Sequence, residues 1–247
     1  MAQPRSATNN KSGLARPRQL LGVDVYAVVT RNNPITNAMI TRDINNLASA
    51  IWEQCGITFF LRRISRVTTI VADKEFDQSV SFGSQPAKIR NLINFRPPGS
   101  TRLDITVIYV EGTTFRNNRT VGATLKFSGQ SGPRIATVIM ASQSPARARV
   151  LAHEFGHALL YNPVTNRNTD PTPGLDSAGH VPAGSNPNNL MLASVPLNPT
   201  LNAGQCQAAA RSPLITSLIQ LINKRKTAAR SHSSRLPVPP SSRKHTI

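Results

Sequence analysis

The sequence predicts an α+β domain with α/β-like order, and three observations predict it. Several short segments alternate apolar and polar residues or run continuously β-branched, as strands do. Other segments repeat apolar residues at helical spacing. The two kinds are interleaved along one chain of 247 residues, which is room for one sizeable domain.

The first strand is Gly22–Thr30, where Val23, Val25, Ala27 and Val29 alternate with Asp24 and Tyr26. Asn33-Pro34 breaks it. Ile40–Gln54 follows as an amphipathic helix through Ile44, Leu47, Ala48 and Ile51. Ile57–Val67 reads as a second strand, and the stretch from Ile70 to Ser84 as irregular. Pro86–Phe95 reads as a short helix. Leu103–Val110 is nearly all β-branched and apolar, as a central strand would be. Gly122–Phe127 and Ile135–Ala141 are two further strands. Ser144-Pro145 then offers a cap and a first-turn proline for the next helix. A last helix is expected over roughly Ala203–Arg225, carrying Leu214, Ile215, Leu218, Leu221 and Ile222.

The helix after Pro145 contains Ala152-His153-Glu154-Phe155-Gly156-His157-Ala158. Residues four apart stack on one helical face, so His153 and His157 can direct their imidazoles at one metal ion. Glu154 is turned one step away, beside the ion, where it can take a proton from water as general base. This is the His-Glu-x-x-His signature of zinc peptidases. Val150, Leu151, Phe155, Ala158, Leu159 and Leu160 surround it, so the helix is buried, and buried imidazoles and carboxylates need partners. Gly156 costs about 1 kcal/mol relative to alanine in a helix, which implies that something approaches the backbone closely there.

A catalytic zinc site takes three protein ligands. Of the five histidines, His232 and His245 fall in a basic Pro/Ser-rich tail, which leaves His180 for the third place. Residues 158–179 are rich in Asn, Pro and Gly and read as the loop that brings it back. Asp170 and Asp176 are the acidic alternatives, Asp176 the better of the two.

The run Asn186-Pro187-Asn188-Asn189-Leu190-Met191 follows His180. With the helix motif it resembles the metzincin-like zinc metallopeptidases, over roughly residues 22–222, the motif-specific part being 150–191. Leu160 and Pro163 occupy the places of the glycine and third ligand in the compact metzincin motif. Closer in character are bacterial metallopeptidase-like proteins with a long insertion before an Asn-Leu-Met turn. The resemblance implies a zincin or metzincin-like catalytic domain, a twisted mixed β-sheet backed by helices with the motif helix under the cleft. It implies a zinc metalloendopeptidase using one Zn2+ and a polypeptide substrate, with Met191 an apolar floor beneath the histidines. It also implies an antiparallel edge strand that holds extended substrate, a role assigned by analogy to Gly122–Phe127.

The net charge of +18 is unevenly placed. Residues 1–18 carry four basic and no acidic groups, and residues 224–247 carry seven and none. These predict basic disordered arms, 1–20 and 225–247, around a catalytic domain at 21–224. Such arms attract anionic partners weakly and without sequence preference. No signal peptide or membrane span is visible, which leaves non-classical secretion or a cytoplasmic setting. Nothing sets an oligomeric state, and a monomer is the default reading. Cys55 and Cys206 are too far apart in sequence for a Cys-pair zinc site, and a disulfide or two buried thiols both fit. Two other functions remain open: a zinc-containing binding or toxin-like protein of the same fold without protease activity, and a basic nucleic-acid-associated protein with a coincidental motif.

Overall fold

The computed structural model describes residues 21–77, 82–117, 119–127 and 135–217. Both predicted arms and the residues beyond 217 of the predicted last helix lie outside these. The strands are β1 (Leu21–Val29), β2 (Ile57–Arg66), β3 (Ile105–Val110), β4 (Gly122–Lys126) and β5 (Ala136–Ala141), with short pieces β6 (Tyr161–Asn162), β7 (Arg167–Asn168) and β8 (Thr216–Ser217). The main sheet runs β2-β1-β3-β5-β4. β1 is parallel to β2 and β3, β3 is parallel to β5, and β4 closes the edge antiparallel to β5. The mixed α+β architecture expected from the sequence is therefore present.

Helices cover both faces of this sheet. One layer holds a helical segment at 37–55 (α1) and the motif helix α3 (Arg147–Leu159); the other holds α2 (Ala87–Asn94). A strand buried on both sides needs no polar alternation, which is why every residue of β3 and β5 is buried. β1 is likewise mostly buried, because Val23, Val25 and Ala27 face the first layer while Val28 faces the second. Its alternating polar residue Asp24 is paired with Arg62 of β2. On the motif side, Phe155 of α3 stacks on Phe59 of β2 at 4.2 Å between ring centroids. On the other, Ile89, Leu92 and Ile93 of α2 meet Val28, Ile108 and Ile139. Each such fully buried side chain contributes about 1.5–3 kcal/mol.

Three local expectations change. Helix α1 widens to a π-helix at Arg42–Ala48, so its buried face is Ile40, Ile44, Ala48 and Trp52, and Leu47 is 42% exposed. Helix α3 begins at Arg147 without a side-chain cap. Ser144 instead forms the preceding turn, accepting from the N–H of Ala146 on Oγ and from that of Arg147 on its carbonyl. The last helix, α4, is only Ala203–Ala210. Pro213 cannot donate to a helix and disfavours helical backbone at Ser212, so Leu214 and Ile215 leave it, and β8 pairs antiparallel with Leu21 and Gly22.

Two long-range links hold the motif layer. A disulfide joins Cys55 at the end of α1 to Cys206 in α4, with Cα atoms 4.9 Å apart, which resolves the alternatives left by the sequence. Arg147 forms a buried ion pair with Asp43 of α1 and also donates to the Ser142 carbonyl. Among the described residues, no helix is long and apolar enough to cross a membrane.

Candidate metal centre and its cleft

Helix α3 is fixed by two neighbouring side chains. Trp52 of α1 donates its indole N–H to the Ala152 carbonyl at 2.9 Å, next to the first motif histidine. Beside it, Met191 is fully buried, and its sulfur occupies the space that a Cβ on Gly156 would take. The mid-helix glycine thus has its reason: the methionine of the turn sits against the backbone between His153 and His157. Gly122 plays the same part for the edge strand, since a Cβ there would collide with Val150, Glu154 and Met140. It lets β4 come down onto α3.

The three predicted histidines converge. The rings of His153 and His157 have centroids 4.6 Å apart, and His180 lies 5.3 Å and 5.0 Å from them. One ligand nitrogen from each fits within 4.8 Å of the others. His153 Nδ1 donates to the Leu190 carbonyl at 2.7 Å, which fixes the tautomer and leaves the Nε2 lone pair facing inward. That Nε2 lies 3.0 Å from His157 Nε2. Two nitrogens bound to one tetrahedral zinc at about 2.0–2.1 Å are roughly 3.3 Å apart, so the pair has the spacing of two ligands. Burial pulls the His153 imidazole down to about 4, the Leu190 contact opposing this and His180 adding to it. Burial, then the charges of His153, Lys126 and His180, takes His157 well below its usual value. Both rings are thus neutral donors, and the set of three imidazoles fits a metal ion.

His180 is oriented by Asp176, whose Oδ2 lies 2.9 Å from His180 Nδ1 and whose Oδ1 accepts the His180 backbone N–H. Desolvation pushes the Asp176 carboxyl up, but these contacts outweigh it and hold the group below its usual value. Asp176 therefore faces the back of the third histidine. Asp170 is used elsewhere, bound by Gln205 Nε2 at 2.7 Å and by the Thr172 N–H. Gln205 also bonds Asn189, whose Oδ1 accepts the Met191 N–H at 2.8 Å, and the Val181 N–H donates to the Met191 carbonyl. The His180 loop, the methionine turn and α4 are thus one polar unit.

Glu154 is buried in the wall of the same cleft. Thr124 of β4 donates to its Oε2 at 2.6 Å. Burial pushes the carboxyl up to about 7, against the lowering effects of Thr124 and Lys126. Lys126 is half-buried 5.8 Å above the Tyr161 ring; burial lowers its ammonium and the attraction of Glu154 partly offsets this. The cleft has a volume of about 930 Å³ and is lined by β4, α3, the loop at 177–180 and residues 193–195. Sequence reasoning had not singled out Thr124, Lys126, Gln205 or Arg149. Only Arg149 carried a signal, standing four residues before His153 on the motif face.

No protein-family model matches the sequence, and no curated protein matches it. Among solved structures the chain is similar to metalloproteinase-II from Bacteroides fragilis, with TM-score 0.52 and 15% identity over 77% of this chain and 52% of that one. It is also similar to mirolysin in complex with a compound, with TM-score 0.50 and 16% identity over 78% of this chain and 91% of that one. The chain spans about half the length of the Bacteroides protein. These likenesses show a metzincin-like fold, as the motif and turn implied.

Proposed function

We propose that this chain is a zinc-dependent endopeptidase, with His153, His157 and His180 holding one Zn2+ and Glu154 as general base. The observation that carries the reading is the convergence of the three imidazoles beside a buried carboxylate in one cleft. A coincidental His-Glu-x-x-His helix gives no reason for a third histidine, from a loop, to arrive at the same point with its Nδ1 already engaged. Zinc in such a site supplies Lewis acidity, polarising a carbonyl and making water acidic near neutral pH.

The protein's own groups account for the rest. Thr124 holds Glu154 Oε2, so Oε1 is the atom that takes the proton of the attacking water and passes it to the leaving amine. Substrate backbone lies along β4, the antiparallel edge strand, and pairs with it by strand addition. Gly122 brings that strand close to α3, so a strand added there would run beside the helix that carries His153 and His157.

The test is metal analysis of the purified protein together with the Glu154→Gln variant. One zinc per chain is expected in both, with hydrolysis of a peptide mixture reduced about 10²–10⁴-fold in the variant. Unchanged turnover in Glu154→Gln would sink the mechanism.

A further inference from the structure

Helix α3 opens with two arginines in its first turn, Arg147 and Arg149. Cations are disfavoured there, because the free N–H groups of a helix start already carry partial positive charge. Arg147 is compensated by the Asp43 carboxylate and the Ser142 carbonyl. Arg149 is not. Its Nε is buried without a hydrogen-bond partner, and none of the ion pairs among the described residues includes it. A buried guanidinium N–H without an acceptor is costly unless something else supplies one.

Arg149 stands one turn before His153, so Arg149, His153 and His157 form a row along the helix face that lines the cleft. Lys126 lines the same cleft, on the β4 side, and Arg119 does so as well. Neither is part of an ion pair among the described residues. Against these three cations, Glu154 is the single carboxylate in the lining, and Thr124 already binds it. The cleft wall therefore carries net positive charge in a concave setting, which focuses its field on whatever enters.

We propose that the cleft selects acidic polypeptides, with Arg149 as the specificity-determining residue that receives the carboxylate of an Asp or Glu side chain next to the scissile bond. The inference rests on the peptidase reading above. A guanidinium presents a planar fork of donors that a carboxylate meets with two parallel bonds, and an amide of the same shape cannot replace that charge. A site built this way discriminates against the uncharged isostere, because the guanidinium is left without a charged acceptor. A chain-terminal carboxylate offers the same chemistry, and capping the terminus separates the two.

The experiment uses the full zinc-loaded chain and matched peptides. They carry Asp or Glu, Asn or Gln, or Lys beside the cleaved bond, each with a free or an amidated C-terminus. The wild type is expected to show kcat/KM about tenfold or more higher for acidic peptides than for their amide isosteres. R149Q should collapse that ratio toward one, and R149E should turn the preference toward the lysine peptides. Amidation should leave the ratio unchanged; a rate lost on amidation would place the carboxylate at the chain end and overturn the side-chain assignment. Equal wild-type rates for acid and amide, or a ratio unchanged in R149Q, would overturn the proposal. Binding of the same peptides to zinc-loaded Glu154→Gln protein, read by fluorescence anisotropy, separates the two readings. An Arg149-dependent acid preference in binding without hydrolysis by the wild type would uphold the selectivity and defeat the peptidase. Absence of both binding preference and hydrolysis would overturn the selectivity as well.

Discussion

Helix α3 and the chain from Tyr161 to Met191 contribute to the same three-histidine cluster by opposite means. The helix needs only its own periodicity: His153 and His157 stack because they are four apart, and an apolar surround buries them. The following chain has no comparable regularity, with only the short hairpin strands β6 and β7 in it. It places His180 through polar contacts distant in sequence: Asp170 to Gln205, Gln205 to Asn189, Asn189 to Met191 and Val181 to Met191. Local repetition can build two-thirds of a metal site. The last third has to be delivered by a network, which costs more residues and depends on the rest of the fold.

The disulfide tests that dependence most severely. It clamps α1, which holds α3 through Trp52, to α4, which holds the methionine turn through Gln205. Replacing Cys55 and Cys206 together by alanine is expected to cost about 2–5 kcal/mol of stability, read as the shift in the denaturation midpoint. Zinc binding should weaken in parallel. A midpoint unmoved by the double variant would mean that the two regions hold each other without the bond.

Gly156→Ala sets helix propensity against the packing of the loop. Propensity alone favours alanine by about 1 kcal/mol. The new Cβ would meet the Met191 sulfur, and Met191 is fully buried, so its side chain has to shift within the core. Overpacking should win, giving a net loss of about 1–3 kcal/mol in thermal or chemical denaturation. A stabilised variant would show that the turn yields to the helix.

Asp176→Ala carries the smallest expected effect. It removes the acceptor behind His180 and none of the three imidazoles. Because the Asp176 side chain is 53% exposed and water can replace it, zinc affinity should fall about tenfold in a competition titration, at the low end for such outer contacts. At micromolar protein the metal should stay stoichiometric. Complete loss of zinc in this variant, with retention in His180→Ala, would make the acid and not the histidine the third donor.

The sequence by itself determined the sheet strands, the motif helix, and the pairing of His153 and His157 with Glu154, because each depends on residues within a few positions of one another. The stop after Ala210 was missed, because the apolar spacing of Leu214 and Ile215 reads as further helix, although Ser212-Pro213 carried a local signal for it. The reason for Gly156 was half visible: its cost in the helix announced a close neighbour, and only packing identified Met191. Whether His180 or Asp176 faced the other histidines, whether Cys55 met Cys206, and that Arg149 went unpaired while Arg147 found Asp43 were all decided by the tertiary structure. Each joins groups that a loop or a whole layer separates. Chain spacing carries no record of that path, and the physical terms that settle it, namely burial, charge and hydrogen-bond satisfaction, exist only once the layers are assembled.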